Sequence, residues 1–310
     1  MYIIQKVILR NWLLVLIMFN KKINIAKYQP ASSSNPINIG LTFIICLILS
    51  VFYGWLYSLT TLIPIIYFNW IITIGFGFVM AISLQIIAKL LKIRERKLRI
   101  YLIVFSLIIA YYSHWVTYIL YLGLQKFPNF FEFFNYWIYP HYFFSNISEL
   151  NNIGAWSIGV SGLFVKGYIL TIIWILEALI IFFIGITYIK KFPENPFSEM
   201  LNKWYPKYPL DYSFAAIYSK NKIISDLEES GIDIIFNMDK GLANKYTSIS
   251  IFYLKGENKQ YLSIDTINIG TNNNSQKKST VILEPFEIKT FEANSLISKF
   301  GTKKEFFLDY

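Results

Sequence analysis

Residues 167–188 read GYILTIIWILEALIIFFIGITY, an apolar run with a single carboxylate, Glu177, near its centre. A helix that crosses a bilayer needs about 20 such residues, so this stretch predicts a membrane span. It divides the chain. What precedes it reads as membrane, and the part that follows reads as a water-soluble domain. The whole chain has 310 residues, of which 55% are hydrophobic, 19% aromatic and 15% charged. Soluble domains average about 25% charged residues, so further spans are expected upstream.

Working outward, the pattern predicts four spans, near residues 39–62, 65–88, 100–124 and 167–190. The segment 1–38 should be an N-terminal interfacial or cytoplasmic piece. Lys6, Arg10 and an apolar run over 12–19 resemble a signal peptide only in outline, since Asn20-Lys21-Lys22 stands where small residues belong. An interfacial anchor helix, or a start placed too far upstream of Met18, fits better. Pro30 to Pro36 then reads as an entry loop, and Pro64 marks a short turn.

The formal charge of +10 is explained by position. Lys21, Lys22 and Lys27 precede span one, and Lys89, Lys92, Arg94, Arg96, Lys97 and Arg99 form a basic loop between spans two and three. Lys190 and Lys191 close span four, whereas the long loop 125–165 carries Lys126 alone. Basic residues gather on the cytoplasmic side, so both termini should be cytoplasmic in a multi-pass protein of the bacterial inner membrane. The lysines Lys220, Lys222, Lys240, Lys277 and Lys278 are scattered and form no nucleic-acid-binding face.

The loop 125–165 is aromatic. Eleven aromatic residues fall between Phe127 and Phe144, among them Tyr136, Trp137, Tyr139 and Tyr142. Such side chains favour the headgroup layer, so a helix or re-entrant segment lying on the outer leaflet is expected. A partner-binding or pore-vestibule surface is the alternative.

Beyond Lys191 the four prolines Pro193, Pro196, Pro206 and Pro209 predict an extended linker over 192–210. A small α+β domain with mostly antiparallel strands should occupy 211–310. Its expected elements are a helix over 213–230, a short strand over 232–238, and strands over 246–254, 260–269 and 280–288. A helix over 291–300, closed by Gly301, completes it.

Glu177 is the first candidate for function, because an ionisable group inside a span is costly. It lies thirteen residues from Lys190, or about 20 Å at ~1.5 Å per residue. His114 lies fourteen residues from Ile100, about 21 Å from the same side. The two should therefore share one level, with Gly54, Gly75 and Gly77 offering close backbone approach there. The readings open at this point are a structural polar pair (or a hydrogen bond to Ser106, Thr73 or Tyr53), a proton- or ion-handling site, and a subunit interface.

The chain has one cysteine, Cys46, and two histidines, His114 and His141, all before the linker. The C-terminal domain thus lacks the side chains for Cys/His metal sites and for His-based triads. No phosphate-binding glycine motif follows a predicted strand. No metal, no cofactor and no catalytic residue is expected.

Several short pieces occur together: Tyr28-Gln29-Pro30, Gly54-Trp55, Pro64-Ile65-Ile66-Tyr67-Phe68-Asn69, Gly75-Phe76-Gly77, Lys92-Ile93-Arg94, Tyr112-Ser113-His114-Trp115, Gly154-Ala155-Trp156-Ser157 and Trp174-Ile175-Leu176-Glu177-Ala178. Over residues 28–200 the set resembles an uncharacterised family of bacterial inner-membrane proteins with four spans and a cytosolic C-terminal domain. That family's linker carries a Pro-Phe/Tyr-Cys-Glu element, and here Pro196-Phe197-Ser198-Glu199 has serine in place of cysteine. The resemblance implies the topology and no activity. The expectation for function is a non-enzymatic, oligomeric membrane scaffold whose domain 211–310 recruits or senses a protein partner in a bacterial secretion, envelope or defence assembly. A small ion channel or membrane-disrupting effector gated by that domain is the alternative.

Overall fold

The computed structural model describes residues 25, 28–30, 34–61, 66–154, 156–158, 163–191, 195–270 and 277–303. The expectations for residues 1–24, the turn 62–65 and the C-terminal tail lie outside them. The chain forms two compact units, Ser32–Pro193 and a second made of Met1–Ala31 with Glu194–Tyr310.

The first unit is a helical bundle. Its long helices are α1 (Pro36–Thr61), α2 (Ile66–Leu90), α3 (Arg96–Leu124) and α6 (Gly167–Lys191). All four are long and apolar enough to cross a membrane. Between α3 and α6 lie α4 (Phe130–Ile138), α5 (Pro140–Ile153) and an antiparallel pair, β1 (Trp156–Ile158) with β2 (Leu163–Val165). The loop 125–165 thus contains two helices and an antiparallel strand pair. Helix α3 starts at Arg96, so Arg96, Lys97 and Arg99 sit in its first turns instead of in a loop.

The bundle is patterned inside out. The buried residues of α1 are Thr42, Cys46, Ser50, Gly54, Tyr57, Ser58 and Thr61, while Ile44, Ile48 and Phe52 on the same helix are exposed. Small and weakly polar groups at four-residue spacing let helices approach closely where burial of apolar surface is not the driving force. The interior is filled mainly by Phe76, Met80, Leu84, Ile103, Leu107 and Ile181.

The second unit is built on an antiparallel sheet of four strands in the order β5 (Lys207–Pro209), β6 (Lys245–Phe252), β7 (Lys259–Ile269), β8 (Lys277–Lys289). A hairpin of β3 (Phe197–Ser198) and β4 (Lys203–Trp204) precedes it. Helices α7 (Lys220–Ser230), α8 (Asp233–Phe236) and α9 (Thr290–Phe300) share its core, where Leu227, Ile235 and Leu296 meet Ile249, Ile251, Leu262, Ile264 and Phe286.

Three expectations change here. The proline-rich segment is no free linker, because β5 pairs with β6 from Lys207↔Phe252 to Pro209↔Ser250, and the unit begins at Glu194. The helix expected over 213–230 starts only at Lys220, because Phe214 bonds with Thr247 in both directions, at 3.0 and 2.8 Å, and Ser219 accepts from the Lys222 N–H as an N-cap. Residues 232–238 form the short helix α8 rather than a strand, with Ile232 and Ile235 turned into the core.

The other face of the sheet is closed by aromatic side chains. Tyr261 on β7 meets Tyr28 at 5.1 Å and Tyr205 at 5.2 Å, both edge-on. Tyr28 belongs to the segment before α1, and its backbone N–H donates to the Pro285 carbonyl at 2.7 Å. The Phe197 N–H donates to the Tyr28 hydroxyl at 3.1 Å. Pro285 stands in an edge strand, where a missing N–H is tolerated.

Tyr28→Phe removes the acceptor of a buried N–H and should destabilise this unit by about 1 kcal/mol. Tyr28→Ala also empties an aromatic site and should cost about 3 kcal/mol or more. Hydrogen exchange of the full chain is the measurement. Exchange should quicken in 197–205 and 277–289 and stay unchanged in the four long helices.

Candidate functional site

The polar site inside the bundle is organised by Tyr57, a residue the sequence reading did not single out. Tyr57 lies on the small-residue face of α1, seven residues beyond Ser50. Its hydroxyl is hydrogen-bonded to Glu177 Oε1 on α6 and lies 2.8 Å from Thr73 Oγ1 on α2. Thr73 in turn donates to the Asn69 carbonyl at 2.8 Å. The Tyr57 ring stacks on Phe76 at 4.4 Å and touches the His114 ring at 4.5 Å. Glu177 is 7% exposed and His114 2%.

Glu177 and His114 are thus brought to one place, but they meet through Tyr57, on its hydroxyl and its ring face respectively. The His114 ring is boxed by Tyr57, Tyr111, Trp115 and Tyr118. Its Nδ1 is buried without a hydrogen-bond partner among the described residues. Of the three partners considered for Glu177, Thr73 is one link away and Tyr53 is instead bonded to Ser83 at 3.0 Å. Ser106 stands beside Cys46 of α1 instead.

The glycines divide. A Cβ on Gly54 would stand 2.3 Å from the Ala110 carbonyl and 2.8 Å from Ser113 Cβ, so α1 presses against α3 one turn before Tyr57. Gly77 is tight as well, 3.1 Å from Ile184 Cβ and 3.2 Å from the Ile181 carbonyl. Gly75 has nothing within 4 Å and permits no close approach, which corrects the expectation for it.

The aromatic loop is tied to the same turn of α3. Trp137 on α4 donates from Nε1 to Ser113 Oγ at 3.0 Å, and its carbonyl accepts from the Tyr112 hydroxyl at 2.9 Å. Helix α4 starts with a capping box of Asn129 and Glu132, and none of its residues is buried. Tyr136 is bonded to Asn146, while Tyr139 and Tyr142 pack around His141. A groove of about 330 Å³ runs between Ile48, Phe52 and Trp55 of α1 and Phe130, Phe133 and Phe134 of α4.

At the opposite end, the basic stretch is pinned by an acid. Ser34 donates to Glu95 from its backbone N–H at 2.6 Å and again from its hydroxyl, and Arg94 N–H donates to Ser34 Oγ at 2.9 Å. Lys92 takes the left-handed conformation, φ 59°, in the turn that follows Lys89 and α2. Arg99 is buried. Burial alone would raise the Glu95 carboxyl, but the Ser34 hydrogen bonds outweigh it and hold it below the usual carboxylate range.

No group of three or more His, Cys, Asp or Glu that could hold a metal ion occurs among the described residues. What the described side chains offer at the site is a set of hydrogen bonds between helices.

Two measurements follow. Gly54→Ala drives a methyl into a backbone carbonyl and should destabilise the bundle by about 1–3 kcal/mol, whereas Gly75→Ala should be neutral or stabilise by up to about 1 kcal/mol. Thermal melting of both variants in one lipid or detergent checks the pair. A depressed Glu95 contributes stability above its unfolded-state value and loses it as pH falls through its lower folded value. Protection of residues 91–99 against hydrogen exchange, taken relative to the intrinsic rate at each pH, should therefore fall on acidification, and Glu95→Gln should abolish that fall. No family model, no curated protein and no solved structure matches this chain.

Proposed function

We propose that the chain is a non-enzymatic multi-pass anchor of the bacterial inner membrane, with four spans, both termini cytoplasmic and self-association through the spans. Its C-terminal unit, Glu194–Tyr310 together with the Tyr28 segment, is the part that recruits or senses a protein partner. The observation that carries this reading is the docking of Tyr28. A residue before the first long helix is hydrogen-bonded to Phe197 and Pro285, after the last. This docking supports a topology in which both ends of the bundle lie on one side of a membrane, as do the positions of the basic clusters.

A recruiting surface needs exposed anchors, and the unit has them. Tyr218 is 78% exposed and Leu242 71%. Both neighbour Lys245, whose Nζ lies 4.2 Å over the Tyr218 ring and whose backbone bridges to Leu242. Tyrosine is among the side chains enriched at the centre of protein contacts.

A photo-crosslinking residue placed at Lys222 or Lys240 in the native host should yield a discrete protein adduct. Tyr218→Ala with Leu242→Asp should reduce that adduct about tenfold, as loss of an interface anchor does, without changing membrane insertion. Absence of any adduct from a correctly inserted chain would remove the recruiting role. Reporter fusions at each terminus test the topology, and an outward-facing terminus would overturn it.

The polar layer of Glu177, Tyr57 and His114 favours a second reading, an ion path through the bundle. Flux from proteoliposomes holding wild type and Glu177→Gln decides it, since a path past Glu177 requires the two to differ.

A further inference from the structure

Three oxygen–oxygen contacts run in series across the bundle. Glu177 Oε1 meets the Tyr57 hydroxyl, which lies 2.8 Å from Thr73 Oγ1, which lies 2.8 Å from the Asn69 carbonyl oxygen. These are hydrogen-bonding separations, and two oxygens so close repel unless a hydrogen lies between them. A carbonyl only accepts, and each hydroxyl has one hydrogen to give. Tyr57 and Thr73 together supply two hydrogens to three contacts.

The count fails if Glu177 is ionised. Tyr57 must then donate to the carboxylate. Thr73 can donate to Tyr57 or to Asn69 but not to both, so one contact stays bare either way. With a proton on Glu177 the count closes. Glu177 donates to Tyr57, Tyr57 to Thr73, and Thr73 to Asn69, with one hydrogen in each contact.

Among the described residues, the groups around this chain of contacts supply neither the missing hydrogen nor a counter-charge. On α1 stands Tyr57, and Tyr53 one turn away is engaged with Ser83. From α2 come Thr73 and Asn69, both uncharged at their contact atoms. From α3 come Tyr111, whose hydroxyl donates to the Trp174 carbonyl at 3.1 Å, and His114, which faces the ring of Tyr57 and not its oxygen. The buried cation of α3, Arg99, lies fifteen residues before His114, or about 22 Å along the axis. A lone carboxylate in such surroundings is strongly disfavoured.

We infer that Glu177 is a carboxylic acid holding one exchangeable proton, and that this proton is the ligand of the polar site. It sets the direction of a hydrogen-bond chain that links α6, α1 and α2. Release of the proton turns the Tyr57 hydroxyl toward Glu177 and leaves Thr73 to bond either Tyr57 or Asn69 but not both. One proton thus decides whether all three contacts are bonded. This goes beyond the anchoring role and is independent of it.

Infrared spectroscopy of the full chain in nanodiscs tests the inference. At neutral pH, where solvent-exposed carboxyls are ionised, wild type should show one protonated-carboxyl carbonyl band that is absent from Glu177→Gln. The band should also shift in Tyr57→Phe, where the acid loses its acceptor. A wild type without the band overturns the inference, as does a band that persists in Glu177→Gln. Should Glu177→Gln not fold, the Tyr57→Phe spectrum decides: a shifted band supports the assignment and an unshifted one overturns it.

Discussion

A buried hydroxyl in an apolar bundle must find a partner or cost several kcal/mol, and Tyr57 meets that constraint by reaching two helices at once. Its oxygen lies between Glu177 and Thr73, and its ring fills the space between Phe76 and His114. The close approach of Gly54 to Ala110, one turn earlier on α1, sets how near Tyr57 stands to α3. Packing and polar chemistry are therefore one problem in this bundle. The aromatic helix α4 joins it from outside, since Trp137 bonds to Ser113, the residue before His114.

The two units are held together by different physics. The sheet unit buries Ile, Leu and Phe on one face under three helices, and removal of that surface from water supplies most of its stability. The bundle turns many of its largest apolar side chains outward and its small ones inward along α1. Such a bundle depends on close fit and on internal hydrogen bonds. A given loss of volume or of a hydroxyl should thus be felt differently in the two.

The long helices and the central strands were legible in the sequence because each carries its own signal, an unbroken apolar run or an alternating one. Glu177 and His114 could be set at one level by counting residues along straight helices. Tyr57 could not, because tyrosine is common near span ends and nothing local says that its hydroxyl turns inward. The four-residue spacing Thr42, Cys46, Ser50, Gly54, Ser58 was the available clue to the inner face of α1. Gly75 was misjudged for the same reason, since depth along a helix does not give azimuth. The proline-rich stretch after α6 looked like a linker because its strands are two or three residues long. The pairing of β5 with β6 is a long-range choice that composition does not encode. Residues 232–238 show the reverse error, a β-branched run that the core takes up as a helical turn.

The contact of Tyr28 with Phe197 joins residues 169 positions apart. Closing so long a loop adds little entropic cost, since that cost grows only with the logarithm of its length. What it adds is an order of events. During synthesis the Tyr28 segment emerges first and its dock last, so the sheet unit cannot be completed until every long helix has been made. A chain whose helices cross a bilayer an odd number of times puts the segment and its dock on opposite faces, and the unit stays unfinished. Completion of the sheet unit thus needs a segment from before the first long helix to meet a strand from after the last.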